Sequence, residues 1–550
     1  MIANLRRRAA LGAVPLALVL ALATASAQAP PSLAVPSPLP AGAPAGMGEI
    51  SSDGLRERAT YFASEALGGR FTSTPGQRAA SEYVAQHLAA LGYEPLGDAR
   101  PDGTRSFLQS WPVGRTRLDG DRTSLEIAGT THARGFGVVE SESGDAVDVA
   151  GSLVFGEYGA PATLPESVAD GDVPFVMLRT RSLARLPVEA QFMQGLGLLG
   201  KASSIATRLA SRGAKCVVFG MLHDDSSLGD FLNYCGLTPD KPLVRYGEDR
   251  GMAAMVEGMR VAVPMVFLSR ALTSDALTSL GYAVDGAKFS RAQDAAVDAA
   301  VRVKVAVVHD QAEAWNVCGV LRGADPAVAD EAVVYSAHID HMGTRLDGRI
   351  FGGADDNASG SASLCEIAEA LARGTRPRRS SIVLSVAGEE EGLWGSKHWA
   401  EHPSWPIEDV VANVNIDMIG RVADLSGADE ISITPSYQHP KFSSIARRAA
   451  ELATSFGLGL TSGDKFYERS DHYNFAVRGI PVVFFCDGEH EDYHQVTDTA
   501  DKLEYGKIEA VARLAFWVGV DVANAQERPA EIGRQQGWLE EKEAATERRR

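Results

Sequence analysis

Eight of the twelve histidines lie between His338 and His494, and the acids of that stretch gather at the same places. His338, Asp340 and His341 follow the apolar run Val333–Ser336, and Asp355-Asp356-Asn357 open a helical pattern. Glu389-Glu390-Glu391 follow Ile382–Val386, Asp417 ends the run Val410–Ile416, and Asp492-Tyr493-His494 come after Pro481–Phe485. Imidazole and carboxylate together are the donor set of zinc and its neighbours. Two such ions need about seven or eight donors, and a carboxylate must bridge them, because dications ~3.5–4 Å apart repel. The two-residue spacing of His338 and Asp340 puts both on one face of an extended strand. There Asp340 can accept a hydrogen bond from the second imidazole nitrogen. Singly these features are ordinary: Asp-Asp-Asn before a helix is an N-cap, and a Glu run is a solvated face. Jointly they are far more specific.

The elements that must carry these groups follow from periodicity. From about Ala300 strand-like runs alternate with helical ones, the pattern of an α/β sheet flanked by helices. Val333–Ser336, Ile382–Val386, Val410–Ile416 and Pro481–Phe485 read as buried strands. Ser361–Ala372 reads as a helix, with Leu364, Ile367, Ala368 and Leu371 at i, i+3, i+4 and i+7. Every acid or histidine above leaves a strand or starts a helix, and open α/β sheets bind ligands outside the carboxyl ends of their strands. Upstream, Ser51–Leu91 reads as two helices punctuated by Gly68-Gly69 and Thr74-Pro75-Gly76. Residues 146–294 differ in texture: short apolar runs such as Phe175–Leu178, Cys216–Phe219 and Met265–Leu268 alternate with Gly- and Asp-rich loops, with one helix over Ala202–Ser211. That is the pattern of a β-rich module inserted into a larger domain.

The motifs His338-x-Asp340, Gly353-Ala354-Asp355-Asp356-Asn357-Ala358-Ser359-Gly360, Gly388-Glu389-Glu390-Glu391-Gly392-Leu393, Asn415-Ile416-Asp417-Met418-Ile419-Gly420-Arg421, Ser470-Asp471-His472-Tyr473 and Asp492-Tyr493-His494 resemble the M28 family of zinc peptidases. Tyr61-Phe62-Ala63-Ser64, Gly69-Arg70, Pro75-Gly76 and Leu91-Gly92 resemble its N-terminal helices, and the insert resembles a protease-associated (PA) domain. The resemblance implies a zinc-exopeptidase fold: α/β, a mixed central sheet flanked by helices, with the inserted β-rich PA-like domain. It implies two Zn²⁺ per chain, one on His338 and Asp417, the other on Glu390 and His494, bridged by Asp356. It assigns Glu389 as general base, places Asp340 beside His338 among the catalytic residues, and puts Tyr467, three residues before Ser470, where some relatives hold an oxyanion. Ser336 and Ser470 need no nucleophilic role in such a reaction. The implied activity is release of N-terminal residues from peptides by metal-activated water. The alternatives are a carboxypeptidase or dipeptidase of the same fold, whose arginines would grip a free carboxylate, and a catalytically silent receptor-like relative. Glutaminyl cyclases share the fold with one zinc.

Composition sets the outer limits. The 550 residues exceed one ordinary core, so two folded units with tails are expected. Arg6-Arg7-Arg8, the apolar stretch Ala9–Ala23 and Ala25-Ser26-Ala27 read as a cleaved secretory signal over 1–27, so a periplasmic or secreted chain is expected. Removing it takes the formal charge from −18 to −18 − 3 = −21. So acidic a body repels phosphate backbones and anionic lipid, so nucleic acid and membrane are not expected partners. Residues 28–47, rich in Pro, Ala and Gly, read as a flexible linker. The peptidase domain is then discontinuous, over 48–145 and 295–528, with a charged tail from 529 to 550. Five scattered cysteines without Cys-x-x-Cys form neither a disulfide framework nor a cysteine zinc site. Cys216 and Cys235 are the one pair that an oxidising compartment could join.

Overall fold

The computed structural model describes residues 39–535, apart from 161, 181–187, 224–230, 234–235, 252–253, 255–257 and 294–295. The expected signal, the first part of the linker, Cys235 and the last fifteen residues of the tail lie outside the described residues.

A ten-stranded mixed sheet forms the centre of the larger unit. Its middle strands run Val482–Cys486, Val410–Ile416, Ala332–His338 and Ser380–Val386, side by side and parallel, and every residue in them is buried. Strands covered on both faces carry continuous apolar runs rather than alternation, which is why the sequence showed them so plainly. Long antiparallel strands, Val307–Leu321 and Leu108–Leu118, extend one side; Glu430–Thr434 and Gly459–Ser462 extend the other.

Helices cover both faces. Ser52–Phe62 is capped by the Ser51 side chain, which accepts from the Gly54 amide, and Pro75–Ala90 by Thr74, with Pro at its first position. Gly360–Arg373 is buried along nearly its whole length, as the expected apolar stripe requires. Behind the sheet runs Tyr505–Asn524, buried almost throughout. It was not read from the sequence, because apolar residues on all its faces leave no amphipathic stripe to recognise. None of the described helices is long and apolar enough to cross a membrane.

A second, eight-stranded sheet forms the other unit. Its limits correct the expected 146–294 boundaries of the insert and the matching 145 and 295 edges of the peptidase domain. Phe136–Val139 pairs with Met265–Leu268, and Ala300–Val305 pairs with Val147–Phe155 and with Ser124–Ile127. Residues 124–139 and 300–305 therefore belong to the insert's sheet, and the crossing point is the pair Leu118↔Val307. Leu243–Arg245, from inside the insert, goes the other way and adds an edge strand to the main sheet beside Gly114–Thr116. Long-range pairing partners leave no trace in local composition. The expected helix over Ala202–Ser211 is longer, Val188–Ala210.

Both tails are shorter than expected. Within 39–47, Met47 is fully buried and Gly46, at φ 93°, sits against the Ala370 carbonyl of the Gly360–Arg373 helix. A side chain at Gly46 would collide with that carbonyl. At the other end the Ile532 amide donates to Phe442 O (2.8 Å) and the Gln535 amide to Tyr437 O (3.1 Å), so 529–535 is docked.

Candidate metal centre

The carboxyl ends of the parallel strands deliver the expected groups to one place. His338 closes its strand, Asp417 follows the next one, and Asp356 precedes the buried helix. His338 Nε2 stands 3.2 Å from Asp417 Oδ1 and 3.3 Å from Asp356 Oδ1. His494 Nε2 stands 3.1 Å from Asp356 Oδ2 and 3.1 Å from Glu390 Oε2. Two groups able to hold a cation result, His338–Asp356–Asp417 and His341–Asp356–Glu390, with donor atoms within 4.8 Å of one another. Asp356 belongs to both and turns one oxygen to each side.

His341 is the residue that sequence reasoning left unassigned. Its Nδ1 lies 2.6 Å from Glu390 Oε1 and 3.8 Å from Asp356 Oδ2, and the side chain is fully buried. It sits one residue past Asp340, where neither spacing nor periodicity separates a donor from a neighbour. Only the fold, which brings 341 against 390, distinguishes it.

The adjacent acids Glu389 and Glu390 point to different places. Glu390 engages His341 and His494, whereas the Glu389 carboxylate comes no nearer to His338 than 4.0 Å and belongs to neither donor group. Asp340 is buried and acts on its neighbours: it accepts from the Glu389 amide (3.3 Å) and the Thr72 hydroxyl (2.9 Å). Its carboxylate stays 3.7 Å from His338 Nδ1, which meets the Asp340 backbone carbonyl at 3.2 Å instead. The strand ends at His338, and the Asp340 carboxylate still faces the second imidazole nitrogen from just beyond hydrogen-bond reach.

Tyr467 requires a correction. It does not line the cavity beside Glu389; its ring packs on His439, with centroids 4.1 Å apart, and edge-on to His472 and Tyr473. The preceding residue, Phe466, ends a tight 3-10 turn and enters that cavity, and consecutive residues of a turn diverge. Ser470, by contrast, holds a ligand candidate: its hydroxyl donates to Asp417 Oδ2 (2.8 Å) and receives from Asn415 Nδ2 (2.9 Å), while Ser336 donates to Asn415 Oδ1 (2.6 Å). Both serines are buried hydrogen-bonding hydroxyls.

Further residues fix the loops. Arg70, buried, donates from Nε to Ile339 O (2.8 Å), from Nη1 to Phe62 O and Gly352 O, and from Nη2 to Gly353 O (3.0 Å), tying the first helix to the loops around His338 and Asp356. Asp498 accepts from the amides of Asp355 and Asp356. Asp492, bound by Arg421 (2.8 Å) and Lys502 (2.7 Å), anchors the turn that presents His494, whose φ of 54° is left-handed. Such a backbone costs of order 1–3 kcal/mol in a non-glycine residue and persists only where the surroundings impose it.

The electrostatics follow from crowding. Burial raises the Glu389 pKa well above the usual range, and Asp417 and Glu390 add to the rise against His338. Burial opposes ionisation of Glu390 too, as does Asp356, yet His494 and His341 bring it to about 2. Burial disfavours charge on His338, but Asp417 and Glu389 outweigh it and the pKa lies well above normal. Four carboxylates facing a few imidazoles in so small a volume would be costly to bury without cations between them. The donor set therefore fits divalent metal, and its imidazole–carboxylate composition is that of zinc.

A model of peptidase family M28 matches residues 316–518, the stretch that holds every one of these groups except Phe62, Arg70 and Thr72. The chain carries an M28 peptidase domain. A probable glutamate carboxypeptidase of Arthroderma benhamiae is 36% identical over 124 residues, 21% of this chain and 16% of that protein. A probable leucine aminopeptidase of Trichophyton verrucosum is 25% identical over 214 residues, 37% of this chain and 58% of that protein. The chain thus spans less than two thirds of the length of these curated relatives. A solved zinc aminopeptidase from Bacillus subtilis has the same fold, with a TM-score of 0.52 at 16% identity over 88% of this chain and 98% of that one.

Proposed function

We propose that the M28 domain of this chain holds two zinc ions and removes N-terminal residues from peptides, as an exported enzyme. The observation that carries the reading is the pair of donor groups joined at Asp356, with Glu389 beside them and committed to neither. His338, Asp356 and Asp417 would hold one ion; Asp356, Glu390 and a histidine, His494 or His341, the other. Zinc bound there supplies Lewis-acid polarisation of the scissile carbonyl and acidifies water. Glu389 takes the proton from the attacking water and returns it to the leaving amine. Asp340, through the Glu389 amide, fixes where that carboxylate stands.

The cavity at the centre supports the amino-terminal choice. Asp356, Glu389, Asp417 and Glu489 line it against one arginine, Arg469, whose charge is met by Glu489 at 2.9 Å. With Asp356 and Asp417 turned to the ions and Arg469 already paired with Glu489, the lining leaves no free arginine to grip a substrate carboxylate, which favours the amino-terminal reading. Met418, Phe466, Phe484 and Cys486 give it an apolar wall for a hydrophobic first side chain. The second unit is read as a PA-like module, and residues 1–27 as a cleaved signal.

Aminoacyl-p-nitroanilides are tested against N-blocked dipeptides with free carboxyl ends, beside zinc analysis of the purified protein. Hydrolysis of the anilides with about two zincs per chain is expected. Cleavage of the blocked dipeptides alone would establish a carboxypeptidase, and no turnover with metal bound would establish a silent relative.

A further inference from the structure

Away from the metal centre, a cavity of about 380 Å³ opens where the second unit meets the edge of the main sheet. Arg115, Arg245, Arg250, Arg260 and His309 line it against one carboxylate, Asp310. On a chain of formal charge −18, so local a concentration of guanidinium groups stands out. Like charges gathered in one cavity repel, and that repulsion is relieved when an anion enters.

The strand register arranges the site. Gln311, Gly114 and Arg245 form one cross-strand row, and His309, Thr116 and Leu243 the next but one, so these residues share a face of the sheet. Gly114 has no side chain, and the Arg245 side chain lies across the space that one would fill. The neighbouring cations already have partners: Arg115 meets Asp310 at 2.8 Å, and Arg260 and His309 meet Glu140 at 3.3 and 2.8 Å. Arg245 has no carboxylate at ion-pair distance among the described residues. Its planar fork matches an oxyanion by two parallel hydrogen bonds.

We propose that this cavity binds a small oxyanion of two or more charges, of the phosphate or dicarboxylate kind, with Arg245 as principal contact. A volume of this size lies within the range of small-ligand sites. The turn that follows Arg245 also touches the loop of the metal centre. Tyr246 Oη lies 2.9 Å from His398 Nδ1, its ring 6.3 Å from that of Trp394, and Gly251 lies against the Glu391 backbone. An anion that fixes 243–251 therefore steadies the segment that carries Glu389 and Glu390.

The test uses the full-length protein, titrated calorimetrically at low ionic strength with sulfate, inorganic phosphate and succinate, and followed by amide hydrogen exchange. One saturable site per chain is expected, with exchange slowed over 243–251 and 389–394. Arg245→Glu and Arg245→Gln, the latter keeping the stem over Gly114, should each weaken binding by about tenfold or more, the loss of one charge-assisted contact. Arg245→Lys should retain part of the affinity. Arg302→Glu, an exposed side chain of the second sheet paired with Asp148, should leave it unchanged. A tighter phosphate identifies a phosphate-type ligand and a tighter succinate a dicarboxylate. Absence of saturable binding overturns the proposal, as does binding indifferent to both Arg245→Glu and Arg245→Gln, which would place the anion at the metal centre or elsewhere.

Discussion

Glu389→Gln and Glu390→Gln alter adjacent residues of one loop, yet should fail in opposite ways. Glutamine keeps the size of glutamate and its hydrogen-bonding shape but cannot accept the proton. Glu389 stands 4.0 Å from His338 and belongs to neither donor group, so its amide should leave about two zincs per chain. General-base catalysis is worth roughly 10²–10⁴ in rate. At about 1.36 kcal/mol per tenfold, kcat for Glu389→Gln should fall by a barrier of about 2.7–5.4 kcal/mol. KM should move far less, since the base acts mainly in the transition state. Glu390 is the reverse case. It contacts His341 at 2.6 Å and His494 at 3.1 Å, and their charges hold its carboxyl as an anion against the cost of burial. Glu390→Gln removes an anionic donor, so zinc content should fall toward one per chain, with activity partly restored by excess metal. Zinc analysis beside steady-state kinetics on an anilide substrate separates the two. A Glu389→Gln enzyme that loses a zinc while Glu390→Gln keeps both would reverse the roles, and full activity in Glu389→Gln would refute the proton-transfer argument.

Arg70→Ala should cost more than about 3 kcal/mol in a denaturant melt, because several buried carbonyls lose a charged donor at once; an unshifted midpoint would contradict that stitching role. Burial lowers the pKa of His472, stacked on Phe484 at 4.4 Å, to about 3. A histidine depressed in the folded state contributes stability that is present above its unfolded pKa and lost as pH falls, by up to about 1.4 kcal/mol per pH unit between roughly 6.5 and 3. His472→Phe should flatten that part of the stability–pH curve, and an unaltered slope would show that His472 is not its source. Since Leu118 and Val307 are paired, replacing 119–306 by a two-residue turn should leave a folded, zinc-binding core, although it also removes the edge strand Leu243–Arg245. Cutting at 146 and 294 instead strands Ser124–Ile127 and Ala300–Val305 and should aggregate; light scattering and zinc analysis compare the two. Protein recovered from its native host should begin near residue 28 by mass spectrometry, and soluble protein retaining Met1 would exclude export.

The candidate site of this chain was largely legible before its fold. A buried parallel strand must be apolar over its whole length, so Val333–Ser336, Ile382–Val386 and Val410–Ile416 stand out, and a polar residue after each has to serve the sheet's carboxyl edge. His338, Asp356, Glu390, Asp417 and His494 were named on that logic together with the resemblance, and the structure brings all five together. Helices with a one-sided stripe or a proper cap, such as Gly360–Arg373 and Pro75–Ala90, were equally plain.

What the tertiary structure decided is which way neighbours face and which distant strands meet. Glu389 and Glu390 are the same residue type one position apart; only the packed loop turns one to His341 and leaves the other uncommitted. His341 became a ligand candidate, and Tyr467 packs on His439 rather than lining the cavity beside Glu389, for the same reason. The limits of the insert moved because strands near 124–139 and 300–305 find partners more than a hundred residues away. Composition and periodicity report what a segment must bury, which is a local property of its own side chains. Side-chain direction at a strand exit and the partner of an edge strand are set by the whole chain closing on itself, and no local pattern records them.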